Sequence, residues 1–167
     1  FPFAWRLERV LLSGASFTDT CVIQHEGRWW LLTSLHDDAT LLIFHADTPL
    51  GPWTAHSGNP VVQRDRTNAR AAGRPVVADG QLLRFAQDGT NGYGRRLAAR
   101  QLAQLTPTAF NDTELTEGAL GPSGTGWNAD GMHHVDAHVI APGQWLACVD
   151  GFQKGWMWGY RQWPRRR

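Results

Sequence analysis

"CVIQHEGRWWLLTS", residues 21–34, holds two apolar runs that meet at Glu26–Gly27. Short β-prone runs on either side of a two-residue turn read as a hairpin. Neighbours in a strand point to opposite faces, so Trp29 and Trp30 put an indole on each side of the second strand. Either both faces are buried, or one is a surface on which something flat lies. Two later stretches decide between these. "RPVVADGQLLRFAQD", residues 74–88, turns at Asp79–Gly80, and "DAHVIAPGQWLACVDG", residues 136–151, turns at Pro142–Gly143. Laid over one another by their turn glycines, the three copies match Trp29 with Leu82 and Trp145, and Trp30 with Leu83 and Leu146. Val22-Ile23 falls one place out of step with Val76-Val77 and Val139-Ile140. Apolar residues on both faces in every copy predict a strand sandwiched between neighbouring sheets, with both indoles spent on packing.

The turn glycines recur at spacings of 53 and 63 residues. A hairpin-based repeat of that length is the mark of β-propeller blades. "LLIFHAD" (41–47) and "WTAHS" (53–57) supply further strands of the first blade, joined by the breakers of "TPLGPW". "GRRLAARQLAQL" (94–105) is the best helical window in the chain, and reads equally as a strand with one helical turn. The predicted fold is all-β, a five-bladed type of propeller with about three blades present. One domain, 1–167, or the C-terminal part of one, divides into blades at about 1–58, 59–112 and 131–163. The Gly-rich stretch 113–130 reads as a loop. Trp156, Trp158 and Tyr160 alternate and suit one buried face of a closing strand. Closure takes at least four blades, which predicts missing N-terminal blades or self-association through open sheet edges.

Composition narrows the function. Of 167 residues, 42% are hydrophobic and 19% charged, as in a soluble globular domain. The net charge of +1 gives no case for a nucleic-acid partner, and the basic tail Arg165–Arg167 reads as a solvated terminus. No apolar run is long enough for a membrane span. Two cysteines, Cys21 and Cys148, are too few for a disulfide framework or a zinc site. They predict buried free thiols in a reducing, cytoplasmic setting. Nine tryptophans against two tyrosines, with 18 glycines, point to a turn-rich β protein that handles flat polar ligands such as sugars.

The run from "FTDTCVIQHEGRWWLLTS" through "LLIFHADTPLGPWTAHSGNPVV" resembles a blade of the five-bladed propeller glycosidases, the arabinanase, xylosidase, invertase and levansucrase superfamily. More specifically, residues 5–152 are similar to the propeller domain of plant glucosamine inositolphosphorylceramide transferases and its bacterial relatives. That likeness rests on Asn59-Pro60, Arg70 to Arg74, Gln87-Asp88, Tyr93-Gly94 and Gly131 to His134. The family domain has further blades before this region. The glycosyltransferase domain of the plant proteins has no counterpart here, so transferase activity is not carried over. The resemblance implies a carbohydrate or glycoconjugate ligand over the channel, and places Gln87 and Tyr93 among the residues that bind it.

Glycoside cleavage needs one carboxyl held protonated and one ionised. Asp19, in "FTD", best matches an inner-strand acid of the resembling glycosidases, as base or orienting carboxylate. Asp88 is the candidate proton donor. No glutamate matches the glycosidase acid, since Glu114 and Glu117 lie in the loose loop, and a non-catalytic sugar-binding or scaffold module working with a transferase is the alternative. Asp136 precedes the third hairpin, one place out of register with Asp19. "ARAAGRP" sets Arg70 and Arg74 among small residues, where a planar guanidinium binds carboxylate, phosphate or paired hydroxyls. Salt bridges to Asp65 or Asp79 are the structural alternative. His134, Asp136 and His138 of "GMHHVDAH" share one strand face, about 7 Å apart. Metal ligands must converge to about 2 Å from the ion, so His133, His134 and Asp136 are assigned to sugar hydroxyls or to Asp19. No metal and no cofactor is expected. A Gly-x-Ser-x-Gly elbow and a phosphate loop are both lacking.

Overall fold

A computed structural model of the chain describes residues 3–36, 39–115 and 120–155. Among the described residues there are eleven strands, one single-turn 3-10 helix at Gly126–Asn128, and no α-helix. Strands β1 (Phe17–His25), β2 (Arg28–Leu35), β3 (Thr40–Ala46) and β4 (Thr54–Ala55) form an antiparallel meander, and β5 (Val62–Gln63) also pairs with β3. Strands β6 (Val76–Ala78), β7 (Gln81–Asp88), β8 (Arg96–Leu105) and β9 (Phe110–Glu114) form a second meander. Strands β10 (Val135–Ala141) and β11 (Gln144–Val149) pair alone.

All three hairpins turn where the sequence places them. Glu26 and Gly27 both have positive φ (49° and 74°), as do Asp79 and Gly80 (49° and 76°). That is the handedness a two-residue loop needs to match twisted strands. Of the window 94–105, Arg96–Leu105 is strand β8, and Gly94 and Arg95 lie in the turn before it. The strand pairs with β7 on one side and β9 on the other, and buries Leu97, Ala98, Ala99, Leu102 and Leu105. Sheet pairing outweighs the few tenths of a kcal/mol per residue that favour helix here. The first sheet reaches past residue 58, because β5 lies at 62–63. Nor is 113–130 all loop: β9 ends at Glu114, and Leu120 exchanges backbone bonds of 2.8 and 2.9 Å with Leu97. The expected closing strand at 156–163 lies outside the described residues.

The second sheet is apolar on both faces, and each face meets a neighbour. Leu82, Leu102 and Leu105 pack with Trp30, Leu32, Leu41 and Ile43 of the first sheet. Leu83 and Phe85 point the other way, toward a cluster of Ala72, Val76, Leu97, Val135 and Ala137. Each fully buried leucine or isoleucine contributes about 1.5–3 kcal/mol. Trp30 therefore packs between sheets as predicted. Trp29 is only half-buried, in a groove it shares with Val22, Val76, Val77 and Val139. The third copy departs further: Trp145 is 44% and Leu146 63% exposed, because no described element covers β11.

One polar network is sealed inside the second sheet. Arg84 is 2% exposed. Its Nε donates to Asp112 Oδ2 at 2.5 Å, and its other nitrogens donate to the backbone and side-chain oxygens of Asn68. Arg100 donates to the same Asp112 carboxylate at 3.0 and 3.2 Å. Burial pulls the Arg84 guanidinium below its ordinary value, against the opposing pull of Asp112. The pair anchors the segment before β6, which carries Arg70 and Arg74.

Candidate functional site

β1, the segment leading into β6, and β10 come together around a cleft of about 320 Å³. Asp19, Cys21, Gly73, Arg74, His134 and Asp136 are among its walls. Asp19 owes its place to an irregularity in β1. The β1–β2 register slips between Thr18 and Cys21, so one extra residue is accommodated. Asp19 takes φ of 49° there, a left-handed conformation that a non-glycine residue adopts at a cost of about 1–2 kcal/mol. Its carboxylate is held from the second sheet. Arg70 Nε donates to Oδ2 at 2.5 Å, and Gln87 Nε2 donates to the same oxygen at 3.2 Å. Gln87 is buried and fixed by a second bond to the Ala71 carbonyl at 2.8 Å.

The small residues of "ARAAGRP" have a steric cause. A Cβ on Gly73, whose φ is 132°, would overlap the backbone oxygen of Val135. Next to it, Val135 N–H donates to the Ala72 carbonyl at 2.8 Å. Glycine thus lets the second and third sheets touch backbone to backbone, and Arg74 emerges at that seam. Arg74 contacts Asp136 at 3.2 Å and His138 at 2.6 Å. Neither arginine takes the alternative predicted for it. Asp65 instead accepts from the Thr67 N–H and hydroxyl at 2.9 and 2.6 Å.

A small pocket beside the cleft is lined by Arg70, Gln87, Asp88 and Tyr93. Asp88 points its carboxylate at local partners. Oδ1 accepts from the Thr90 N–H at 3.0 Å and hydroxyl at 2.5 Å, and Oδ2 faces Arg96 at 3.2 Å. Burial works against its ionisation, yet the Thr90 bonds and Arg96 outweigh it and hold the carboxyl below the usual range. That setting suits a structural acceptor better than a held proton. Arg70 stacks its guanidinium 4.9 Å from the centre of the Tyr93 ring. The Tyr93 hydroxyl lies 2.8 Å from His133 Nε2, and Asp150 Oδ2 lies against His133 Nδ1 without hydrogen-bond geometry. Gly131 makes this approach possible, since a Cβ there would overlap the Gly94 oxygen and the Phe152 ring.

The fold thus gathers Asp19, Arg70, Arg74, Gln87, Tyr93, His133, His134 and Asp136 along one line of contacts. Asp150 was missed; its only signal was an aspartate following the third hairpin. Asn59 lies elsewhere, exchanging bonds of 2.9 and 2.6 Å with the backbone of Ile43 in β3. Among the described residues, no group of three or more His, Cys, Asp or Glu side chains could hold a metal ion. Cys21 turns its thiol toward the Leu32 carbonyl at 3.8 Å, and burial pushes it up to about 12. Cys148 is exposed, against expectation, because it sits on the uncovered β11.

Residues 1–152 match the family model described as glucosamine inositolphosphorylceramide transferase 1, N-terminal. The chain belongs to this family. It is 33% identical over 160 residues to the glucosamine inositolphosphorylceramide transferase 1 of Oryza sativa subsp. japonica, and 32% identical over 161 residues to that of Arabidopsis thaliana. Each match covers 90% of this chain and 21% of the relative, so the chain spans about a fifth of their length. Among solved structures it is similar to Zg3597, a family 117 glycoside hydrolase of the marine bacterium Zobellia galactanivorans. The TM-score is 0.43 and the identity 18%, over 60% of this chain and 32% of that one. Among the described residues, no helix is long and apolar enough to cross a membrane. The stretches Arg70 to Arg74, Tyr93-Gly94 and Gly131 to His134, on which the resemblance rests, coincide with contacts that join the second sheet to its neighbours.

Proposed function

We propose that the three sheets are consecutive blades of a five-bladed propeller, and that the cleft binds the polyol part of a carbohydrate or glycoconjugate. One observation carries this reading: Asp19 is set by a strained bulge in one sheet and clamped by Arg70 and buried Gln87 from the next. Backbone strain concentrates where a side chain must be aimed. A carboxylate with fixed lone pairs, beside Arg74 and His134, offers the acceptors and donors that recognise paired hydroxyls. The relatives' names join a sugar to an inositol phospholipid, and both are rich in such hydroxyls. Binding is favoured over hydrolysis because Asp19, Asp88 and Asp136 each face an arginine, the setting of an acceptor and not of a proton donor.

Calorimetry with a panel of monosaccharides, inositol and inositol phosphates tests the reading. Asp19→Asn and Arg74→Met should each weaken the bound member at least about tenfold, since a charge-assisted hydrogen bond contributes about 1.5–3 kcal/mol. Wild-type affinity in both variants would refute this site. Turnover of aryl glycosides that Asp19→Asn abolishes would replace binding by catalysis.

A further inference from the structure

Trp127 is 57% exposed, yet it is held in place. It belongs to the single turn Gly126–Asn128, and the loop around that turn is braced by its own bonds. Ser123 Oγ donates to Asn128 Oδ1 at 2.7 Å, and the N–H groups of Ser123 and Gly124 donate to the carbonyls of Asn128 and Ala129 at 3.2 Å. The six-membered ring of Trp127 rests on the backbone of Gly151, where a Cβ would overlap that ring and crowd Asn128 Cβ. Gly151 lacks the positive φ that calls for glycine at the hairpin turns, so close approach of the indole is what glycine serves there. The sequence thus seats an indole firmly and leaves it open to water. A fixed aromatic ring offers flat apolar area to a ligand at little cost in side-chain entropy.

Backbone bonds tie this seat to the cleft. Asp150, next to Gly151, accepts the N–H groups of His133 at 3.0 Å and His134 at 2.7 Å through Oδ1, and His134 is a wall of the cleft. Asp130 N–H donates to the carbonyl of Phe152, on the other side of Gly151, at 3.0 Å. Two carboxylates, Asp130 and Asp150, therefore stand by the seat. They repel phosphates and nucleic acids, and they accept hydroxyl donors. A flat apolar ring with hydroxyl acceptors beside it fits a neutral sugar, its C–H face on the indole. We propose that Trp127 is a stacking platform for a second sugar ring, so that the ligand is a neutral oligosaccharide whose first ring occupies the cleft. This rests on the polyol-binding reading of the cleft.

Calorimetry on the full chain with gluco-, galacto- and manno-oligosaccharides of one to three units tests the platform. In a series whose monosaccharide binds, affinity should rise roughly three- to tenfold from one unit to two. Trp127→Ala should lose that rise, and the loss should appear only with the longer chains. Gly151→Ala keeps the indole but unseats it, and should lose the rise as well. Hydroxyl-radical footprinting, read by peptide mass spectrometry, should show Trp127 protected by the disaccharide and not by the monosaccharide. Thermal melts accompany both variants; if Gly151→Ala unfolds, Trp127→Ala carries the test, because it removes a largely exposed side chain. Equal affinities for one unit and two, or a rise that survives Trp127→Ala, would overturn the platform and leave the cleft reading standing. Protection of Trp127 by tetramethylammonium and not by sugar would overturn it in favour of a cation site. Binding of no member of any series would remove the cleft reading and the platform together.

Discussion

Gly73→Ala is the substitution that most directly tests how the site is assembled. The added Cβ would overlap the Val135 oxygen, and the backbone φ of 132° is one that side-chain-bearing residues rarely adopt. Strain of this kind costs about 1–3 kcal/mol. Relieving the overlap pulls the third sheet from the second and weakens the 2.8 Å bond from Val135 N–H to the Ala72 carbonyl, for about another 0.5–1.5 kcal/mol. The sum is roughly 3 kcal/mol. At about 2–4 °C per kcal/mol for a domain of this size, the melting temperature should fall roughly 6–12 °C. Urea unfolding with an unchanged slope would assign the loss to the native state. Gly143→Ala is the control, since Gly143 has φ of 70° but nothing within 4 Å of its Cβ position. It should cost only about 1 kcal/mol. Equal costs for the two would refute the claim that backbone contact between sheets explains Gly73.

Two further outcomes follow from the buried groups. Asp112→Ala strips Arg84, 2% exposed, of its countercharge and should cost about 3–5 kcal/mol by urea unfolding, whereas Arg84→Met with Asp112→Leu should recover most of that loss; a loss under about 1 kcal/mol for Asp112→Ala would contradict the network. A thiol-specific disulfide reagent at pH 8 should label exposed Cys148 promptly and half-buried Cys21, pushed up to about 12 by burial, at least about tenfold more slowly; equal rates for the two would contradict the raised thiol.

The strands were legible because their signal is local. Glu26–Gly27, Asp79–Gly80 and Pro142–Gly143 punctuate apolar runs, and each does turn a hairpin. Residues 94–105 left helix and strand open because alanine, leucine, arginine and glutamine favour helix in isolation, while the deciding partners, β7 and β9, lie elsewhere in the chain. Burial was legible for Trp30 and not for Trp145, since an apolar residue declares that it can be covered and not what covers it. The site residues were legible by type, but their pairing was not. Arg70 and Asp19 stand 51 positions apart, and Gln87 and Asp19 stand 68 apart. Chemistry alone made Asp65 and Asp79 equally good partners.

Register in the hairpins is not a plain count from the turn glycines. Counting back from the turn glycines sets Asp136 one place off Asp19. A count of that kind assumes uninterrupted ladders. Two of the three strands break the assumption: β1 slips between Thr18 and Cys21, and β10 between Val139 and Ala141. One inserted residue displaces everything upstream by one and turns the following side chains to the opposite face. Each of the two strands carries one inserted residue, so the insertions offset one another in that count, and by ladder register Asp136 (opposite Cys148) corresponds to Cys21 (opposite Leu32). In β1 the bulge falls at Asp19, the residue that Arg70 and Gln87 clamp. Had β1 run straight, Asp19 would have no reason to take a left-handed φ. A bulge that turns a carboxylate into a clamp from the next sheet costs stability in its own strand, and the fold keeps it only because the neighbouring sheet supplies Arg70 and Gln87 to hold it.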